Sequence, residues 1–162
     1  MFGELTPDEI DVLLREEIVG RIAYIDRRGL PCIVPINYAY DGAAVLGYSL
    51  TGTKLENMEA NAQVCIEIDH IHNAADWRSA IVRGTFEALR GPAALDAISR
   101  ISERLKSVAT ATGAPALAAQ TFVRRKGGDG MAYCIRVDHK SGRYATSEIE
   151  TIAPTPKRGS LP

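Results

Sequence analysis

The chain has 162 residues, with 19 Lys and Arg against 20 Asp and Glu, 46% apolar and 24% charged residues, which is ordinary globular usage. One compact domain fits that length, and two full domains with a linker do not. The balance excludes a disordered chain and a basic nucleic-acid coat, and no apolar run reaches the roughly 18 residues that span a bilayer.

The first eight residues carry acids and a proline where a secretory signal carries lysines followed by an apolar run, so a cytoplasmic protein is expected. Thr6-Pro7-Asp8-Glu9 offers a cap, a proline at the first helical position and Glu three residues after the cap. A short helix with Ile10, Leu13 and Leu14 on one face follows from it. From Ile18 to Ile25 the residues turn β-branched and aromatic, and Asp26-Arg27-Arg28-Gly29 stops them; this is a strand and a turn. Cys32–Tyr40 is a second strand, joined by Asp41-Gly42 to a third at Ala44–Leu50, because Asp-Gly between apolar runs favours a hairpin. Pro35 cannot donate a ladder hydrogen bond, which places its strand at an edge or a bulge where a ligand could meet backbone.

Lys54–Ala60 reads as a short helix closed by Asn61, Val64–Asp69 as a fourth strand, and Trp77 through Leu89 as a fifth with a bend or bulge at Gly84. Leu95, Ile98, Ile101, Leu105 and Val108 recur at helical spacing after Gly91-Pro92, which describes one long amphipathic helix. The stretch 110–119 is either loop or a short helix, 126–130 a glycine turn, and Met131–Val137 a last strand. Beyond 150 the sequence reads as a frayed tail, so the domain is placed at 1–150 and the tail at 151–162. About six short strands with inserted helices describe a mainly β (α+β) fold, an antiparallel barrel with peripheral helices. Neither GxGxxG after a strand nor GxxxxGK[ST] occurs, so dinucleotide and P-loop signatures are missing.

Cys32, Cys65 and Cys134 stand at long spacing inside apolar runs and read as buried free thiols rather than a zinc set or a disulfide scaffold. Tyr48-Ser49-Leu50-Thr51-Gly52-Thr53-Lys54 has the makings of an anion site: hydroxyls and a glycine precede a helix start, and Lys54 adds a full charge. Ser49, Thr51, Thr53 and Lys54 are the phosphate candidates, and a plain capped helix with a solvated lysine is the alternative. His70 and His72, two apart, could face one side as ligands or an acid-base group, or could stand in an exposed loop. His139 beside Asp138 and Lys140 reads as a surface residue. Arg124-Arg125-Lys126 is a solvated loop or a gate for an anionic substrate, and Glu67, Asp69 and Asp76 have no fixed separation that would make them paired acids.

Val34-Pro35-Ile36-Asn37-Tyr38, Lys54-Leu55-Glu56-Asn57 and Trp77-Arg78-Ser79-Ala80-Ile81-Val82-Arg83-Gly84, in that order, resemble the FMN-binding split-barrel family related to pyridoxamine 5'-phosphate oxidase. The resemblance covers about residues 5–89 and is nearest to the branch of the 5-nitroimidazole-resistance proteins. It implies an FMN-binding split β-barrel, Greek-key-like, that forms a homodimer with cofactor sites at the subunit interface and acts on a small organic molecule. By position it implies that Val34, Pro35, Ile36 and Asn37 flank the flavin ring with Tyr48 on the same face. Ser49, Lys54 and Asn57 would hold the phosphate, and Trp77, Arg78 and Ser79 would reach in from the fifth strand of either subunit. It also implies that His70 or His72 lies near the flavin as a catalytic or substrate-contact group. The oxidases' own cation-bearing cofactor strand, Arg-Lys pair and Arg-Leu-x-Pro segment are missing here, which speaks against pyridoxamine 5'-phosphate as substrate. A flavin-binding protein without turnover, and a haem- or deazaflavin-binding relative, are the other readings.

Overall fold

The computed structural model describes residues 1–112 and 130–146 of the chain. In order these form β1 (Phe2–Glu4), α1 (Pro7–Glu16), β2 (Val19–Ile25), β3 (Pro31–Tyr40), β4 (Ala44–Leu50), α2 (Thr53–Ala60), β5 (Gln63–Asn73), β6 (Asp76–Ala88), α3 (Gly91–Thr112) and β7 (Gly130–Ala145). Neighbouring strands run β1-β7-β4-β3-β2-β5-β6, and β6 also pairs with β7. That last pairing closes six strands into an antiparallel split barrel with β1 appended. A β2-β3-β4 meander and a β5-β6 hairpin are joined by β7, which inserts between β4 and β6. The chain thus has the mainly β barrel with peripheral helices that its sequence announces.

Closure depends on the length of β7. Its first half pairs with β4 from Leu50↔Gly130 to Ala44↔Arg136, and its second half runs along β6 to Trp77↔Ala145. Ser141-Gly142-Arg143, which resembles a strand end in the sequence, lies inside this strand and pairs with Ile81, Ala80 and Ser79. Gly142 is needed there because a Cβ would stand 2.8 Å from Leu5 Cδ1. The expected irregularity at Gly84 is a register shift between Arg83 and Gly84 against β7, where a Cβ would meet the Arg136 carbonyl oxygen at 2.3 Å.

Ile22, Ile66, Ile68, Val82, Ile135 and Tyr133 fill the barrel and are fully buried, each aliphatic side chain worth about 1.5–3 kcal/mol in burial. Two helices close its ends. α1 starts with the expected capping box, Thr6 and Glu9 bonding each other's backbone N–H groups, and drives Ile10, Leu13 and Leu14 into the core. α2 does the same with Leu55 and Met58. α3 lies outside, packing Ala97, Ile101 and Leu105 on Ala39, Leu46 and Ala132. Leu95 falls off that apolar stripe and is exposed; Ala94, Ala97 and Ile98 carry the face instead.

His70 and His72 do not stand in a loop. β5 continues through Asn73, with a register irregularity between Ile71 and Asn73, and both histidines are exposed on it. Three cysteines are free among the described residues and half-buried. No described helix is long and apolar enough to cross a membrane. The expected glycine turn before Gly130, the basic cluster at 124–126 and the tail lie outside the described residues, as do 113–119 of the ambiguous stretch; 110–112 belong to α3.

Candidate functional site at the split of the barrel wall

β3 changes partners along its length. Pro31–Asn37 pairs with β2 in unbroken register, from Ile25↔Pro31 to Val19↔Asn37. Only Tyr38, Ala39 and Tyr40 pair with β4, opposite Gly47, Leu46 and Val45. β4 itself runs three residues further, to Leu50. The wall therefore opens between the first half of β3 and the last residues of β4. Pro35 lies in a straight ladder with Arg21, so it marks an edge and not a bulge.

Hydrogen-bond parity shows which backbone groups face the opening. Tyr38 N–H donates to Ile18 O at 3.2 Å, so alternate residues Ile36, Val34 and Cys32 turn their peptide groups toward β2, and Ile33, Pro35 and Asn37 turn theirs away from it. No described strand pairs with that free edge. Pro35 lacks the N–H that a further strand would need there, and it keeps the edge open at no cost to the β2–β3 ladder.

Across the opening, β4 presents Ser49 on the barrel-facing side and Tyr48 on the other. Tyr48 packs into the cluster under α3, with its hydroxyl over Gly130, where a Cβ would be 1.9 Å away. Tyr48 and Ser49 thus take opposite faces of their strand and do not line a single surface.

After β4 the chain enters α2 through Gly52, which as N-cap supplies no side-chain hydrogen bond. The first helical bond is Glu56 N–H to Gly52 O at 3.2 Å, so the N–H groups of Thr53, Lys54 and Leu55 have no acceptor within the helix. Lys54 and Asn57 lie one turn apart on the same side of α2. Asn57 is buried, at 3% exposure. Lys54 is half-buried, and desolvation holds its ammonium below the usual lysine range. No hydrogen bond or ion pair engages Lys54 among the described residues, whereas the neighbouring Glu56 is taken by Arg27 at 3.3 Å. A desolvated cation without a counter-charge among the described residues, beside uncapped N–H groups, has the chemistry that suits an anion.

The remaining candidates gather elsewhere. Trp77, Arg78 and Ser79 begin β6, opposite Ile71, His70 and Asp69 of β5. In the ring of six strands β6 stands three places from β3, across the barrel, so one chain does not bring this group to the split. His70 Nδ1 lies 2.8 Å from Glu17 Oε1 at the end of α1. Ser79 Oγ donates to Glu67 Oε1 at 2.9 Å. Arg21 Nη1 bridges Glu67 at 2.9 Å and Asp69 at 3.0 Å, so these acids serve as ion partners rather than an acid-base pair. The sequence hints at this network only through the alternation of Glu67 and Asp69 on one strand face; Arg21 is joined to them by pairing across 46 and 48 residues. Three surface clefts among the described residues, of about 390, 400 and 270 Å3, have linings that include none of Ser49, Lys54 and Asn57.

Comparison with known proteins places this arrangement. The chain is similar to a FAD-binding protein from Mesorhizobium loti, 27% identical, with a TM-score of 0.69 over 90% of this chain and 98% of that one. It shares its fold with a protein assigned to 5-nitroimidazole antibiotic resistance from Bacteroides thetaiotaomicron, 16% identical, with a TM-score of 0.59 over 89% and 87%. An uncharacterized protein of Rhizobium meliloti (strain 1021) is 32% identical over 87 residues, which is 49% of this chain and 58% of that relative's length. The sequence profile of pyridoxamine 5'-phosphate oxidase matches residues 6–130, a span that contains the split, α2 and the start of β6. The chain belongs to the pyridoxamine 5'-phosphate oxidase family of split barrels.

Proposed function

We propose that this chain is a flavoprotein that binds FMN at the split of its barrel and takes part in the redox chemistry of a small organic molecule. The observation that carries the reading is Lys54: a half-buried ammonium with no counter-charge among the described residues, beside the uncapped N-terminus of α2. The residues present fit the group. Lys54 and the α2 N–H groups suit a terminal phosphate, with Ser49 and Asn57 as further donors. The free β3 edge at Ile33, Pro35 and Asn37 offers backbone groups to the polar rim of a planar heterocycle, while Val34 and Ile36 shape the apolar wall behind it. The flavin-binding relative at 27% identity supports the same cofactor class.

A bound flavin supplies hydride and electron transfer; the protein supplies position, hydrogen bonds and exclusion of water. The homodimer belongs to the same proposal. Among the described residues, the outer wall of β2 and β3 exposes Val19, Ile25 and Ile33, and β4 ends in exposed Leu50. Burial of these residues against a second copy would bring a partner's β5–β6 ribbon, with His70, His72, Trp77, Arg78 and Ser79, toward the split that one chain leaves without them. The role of either histidine near the substrate rests on that assembly. Its free cysteines suit a reducing cytoplasm. Reduction of a nitroaromatic is the activity to screen first, since the fold is shared with a protein assigned to 5-nitroimidazole resistance.

The test is an absorption spectrum of the purified chain, with mass analysis of any chromophore released on denaturation. The expected result is the two-band spectrum of oxidised flavin, native or after addition of FMN, bleached by a reductant and restored by a nitroaromatic faster than by oxygen. A chain that binds no flavin under either condition overturns the reading. A Soret band would replace it with haem.

A further inference from the structure

Outside the split, three arginines converge on a cleft of about 400 Å3 at the junction of α1, α3 and the β3–β4 hairpin. Ala39, Tyr40 and Leu46 line it together with Arg15, Arg100 and Arg104. The cleft lies on the outer side of the closed part of the β3–β4 ladder, where Ala39 pairs with Leu46. The volume is within the range of small-ligand pockets.

The charges there are unequally satisfied. Arg100 Nε is held by Asp96 at 2.8 Å on its own helix. Arg15 forms no ion pair among the described residues; its guanidinium carbon stands 5.6 Å from the centroid of the Tyr40 ring. Arg104 gives one N–H to the carbonyl of Glu16 and pairs with no carboxylate among the described residues. The two acids on the rim make hydrogen bonds to neutral donors and no ion pair with these arginines among the described residues: Asp41 Oδ1 accepts from the N–H groups of Ala43 and Ala44 at 2.8 and 2.7 Å, and Glu103 Oε1 accepts from Ser99 at 3.4 Å. Asp11, one turn before Arg15 on α1, accepts from Lys140 and from Tyr40. Two guanidinium groups with spare donors therefore line a cleft whose lining is in part apolar. Guanidinium forks match carboxylates in geometry and tolerate partial desolvation.

We propose that this cleft binds a small aryl carboxylate, its carboxylate between Arg15 and Arg104 and its ring on Ala39 and Leu46 beside Tyr40. The site is separate from the cofactor position and does not depend on it. An anion alone would leave the apolar lining unused, and a neutral ring would leave both guanidinium groups unanswered.

The experiment is a titration of the full-length chain with sodium benzoate, benzamide and inorganic phosphate, followed by two-dimensional NMR. Benzoate is expected to give saturable shifts at the amides of Ala39, Tyr40 and Leu46, with an affinity at least about tenfold above that of benzamide or phosphate. Arg15→Gln and Arg104→Gln should each lower that affinity about fivefold or more, and Arg27→Gln, at the other end of the barrel, should leave it unchanged. Because Arg104 also ties α3 to the end of α1, Arg15→Gln serves as the variant that keeps that tie. Equal binding of benzamide, equal binding of phosphate, no saturable shift, or an unaltered affinity in Arg15→Gln would each overturn the proposal.

Discussion

The two halves of β3 are built from similar residues and have opposite fates. Tyr38, Ala39 and Tyr40 are clasped between β4 and the end of β2, under α1 and α3, with Tyr38 fully buried and Ala39 at 9% exposure. Ile33, Pro35 and Asn37, a few residues earlier, are exposed and turn their peptide groups to an edge with no described strand beside it. β-propensity does not separate the two stretches; Pro35 and the divergence of β4 after Gly47 do. A barrel wall can thus be complete in one half of a strand and left without a described partner strand in the other.

The closed half is the more sensitive to added volume. Gly47 faces Tyr38 on one side and Tyr133 on the other, and a Cβ there would lie 2.2 Å from Tyr133 Cζ. Tyr133 is fully buried and stacks at 5.5 Å on Phe86, so it cannot yield freely. Gly47→Ala should cost about 2–3 kcal/mol in urea denaturation; a loss below about 0.5 kcal/mol would show that the seam is loose. Next in size is the pH response of the open half. Burial lowers the pKa of Lys54, so its ammonium loses its proton earlier on the alkaline side than that of an ordinary lysine. FMN affinity should be level through neutral pH and then fall, by up to about tenfold, as pH rises through that lowered pKa. Riboflavin, titrated in parallel by fluorescence quenching, should not show this fall, and a shared profile would remove Lys54 from the phosphate site.

Two smaller effects sharpen the contrast. Tyr38 is 0% exposed and its hydroxyl has no partner among the described residues, while desolvation first, and then Glu17, hold that hydroxyl well above the usual tyrosine range. Tyr38→Phe should leave stability unchanged or raise it by up to about 1 kcal/mol; a loss of that size would mean that the hydroxyl is bonded in solution. Pro35→Ala should change stability by less than about 0.5 kcal/mol, because the restored N–H faces the open edge. A larger gain, with new amide protection at residue 35 in hydrogen exchange, would mean that the edge is closed by pairing.

The sequence made the local elements plain. The Thr6–Glu9 capping box, the Asp41-Gly42 hairpin, the bulge at Gly84 and the α2 helix ended by Asn61 each carry their own signal within a few residues. What it concealed depends on distant partners. β1 is three residues long and exists because Ala145, Tyr144 and Arg143 pair with it. β7 passes through a Ser-Gly-Arg stretch because β6 supplies ladder bonds along it, and β5 extends past both histidines because His70, Ile71 and Asn73 pair with Arg78, Trp77 and Asp76. The proximity of Lys54 and Asn57 was legible because one helix holds both. The placement of Trp77, Arg78 and Ser79 across the barrel was not, since strand order around a closed wall leaves no mark in local composition. Nor was the Arg15–Arg104 cleft, whose members stand 89 residues apart in the chain and meet only where α3 packs on the hairpin.

The central claim is that Lys54 and the start of α2 recognise a flavin's phosphate. The most direct measurement is a double comparison, FMN against riboflavin in the native chain and in Lys54→Gln, with affinities from flavin fluorescence. The native chain should prefer FMN by about 1.5–3 kcal/mol, and most of that preference should vanish in Lys54→Gln while riboflavin binding stays the same. Equal affinity for the two ligands in the native chain, or an FMN preference that survives the substitution intact, would contradict it.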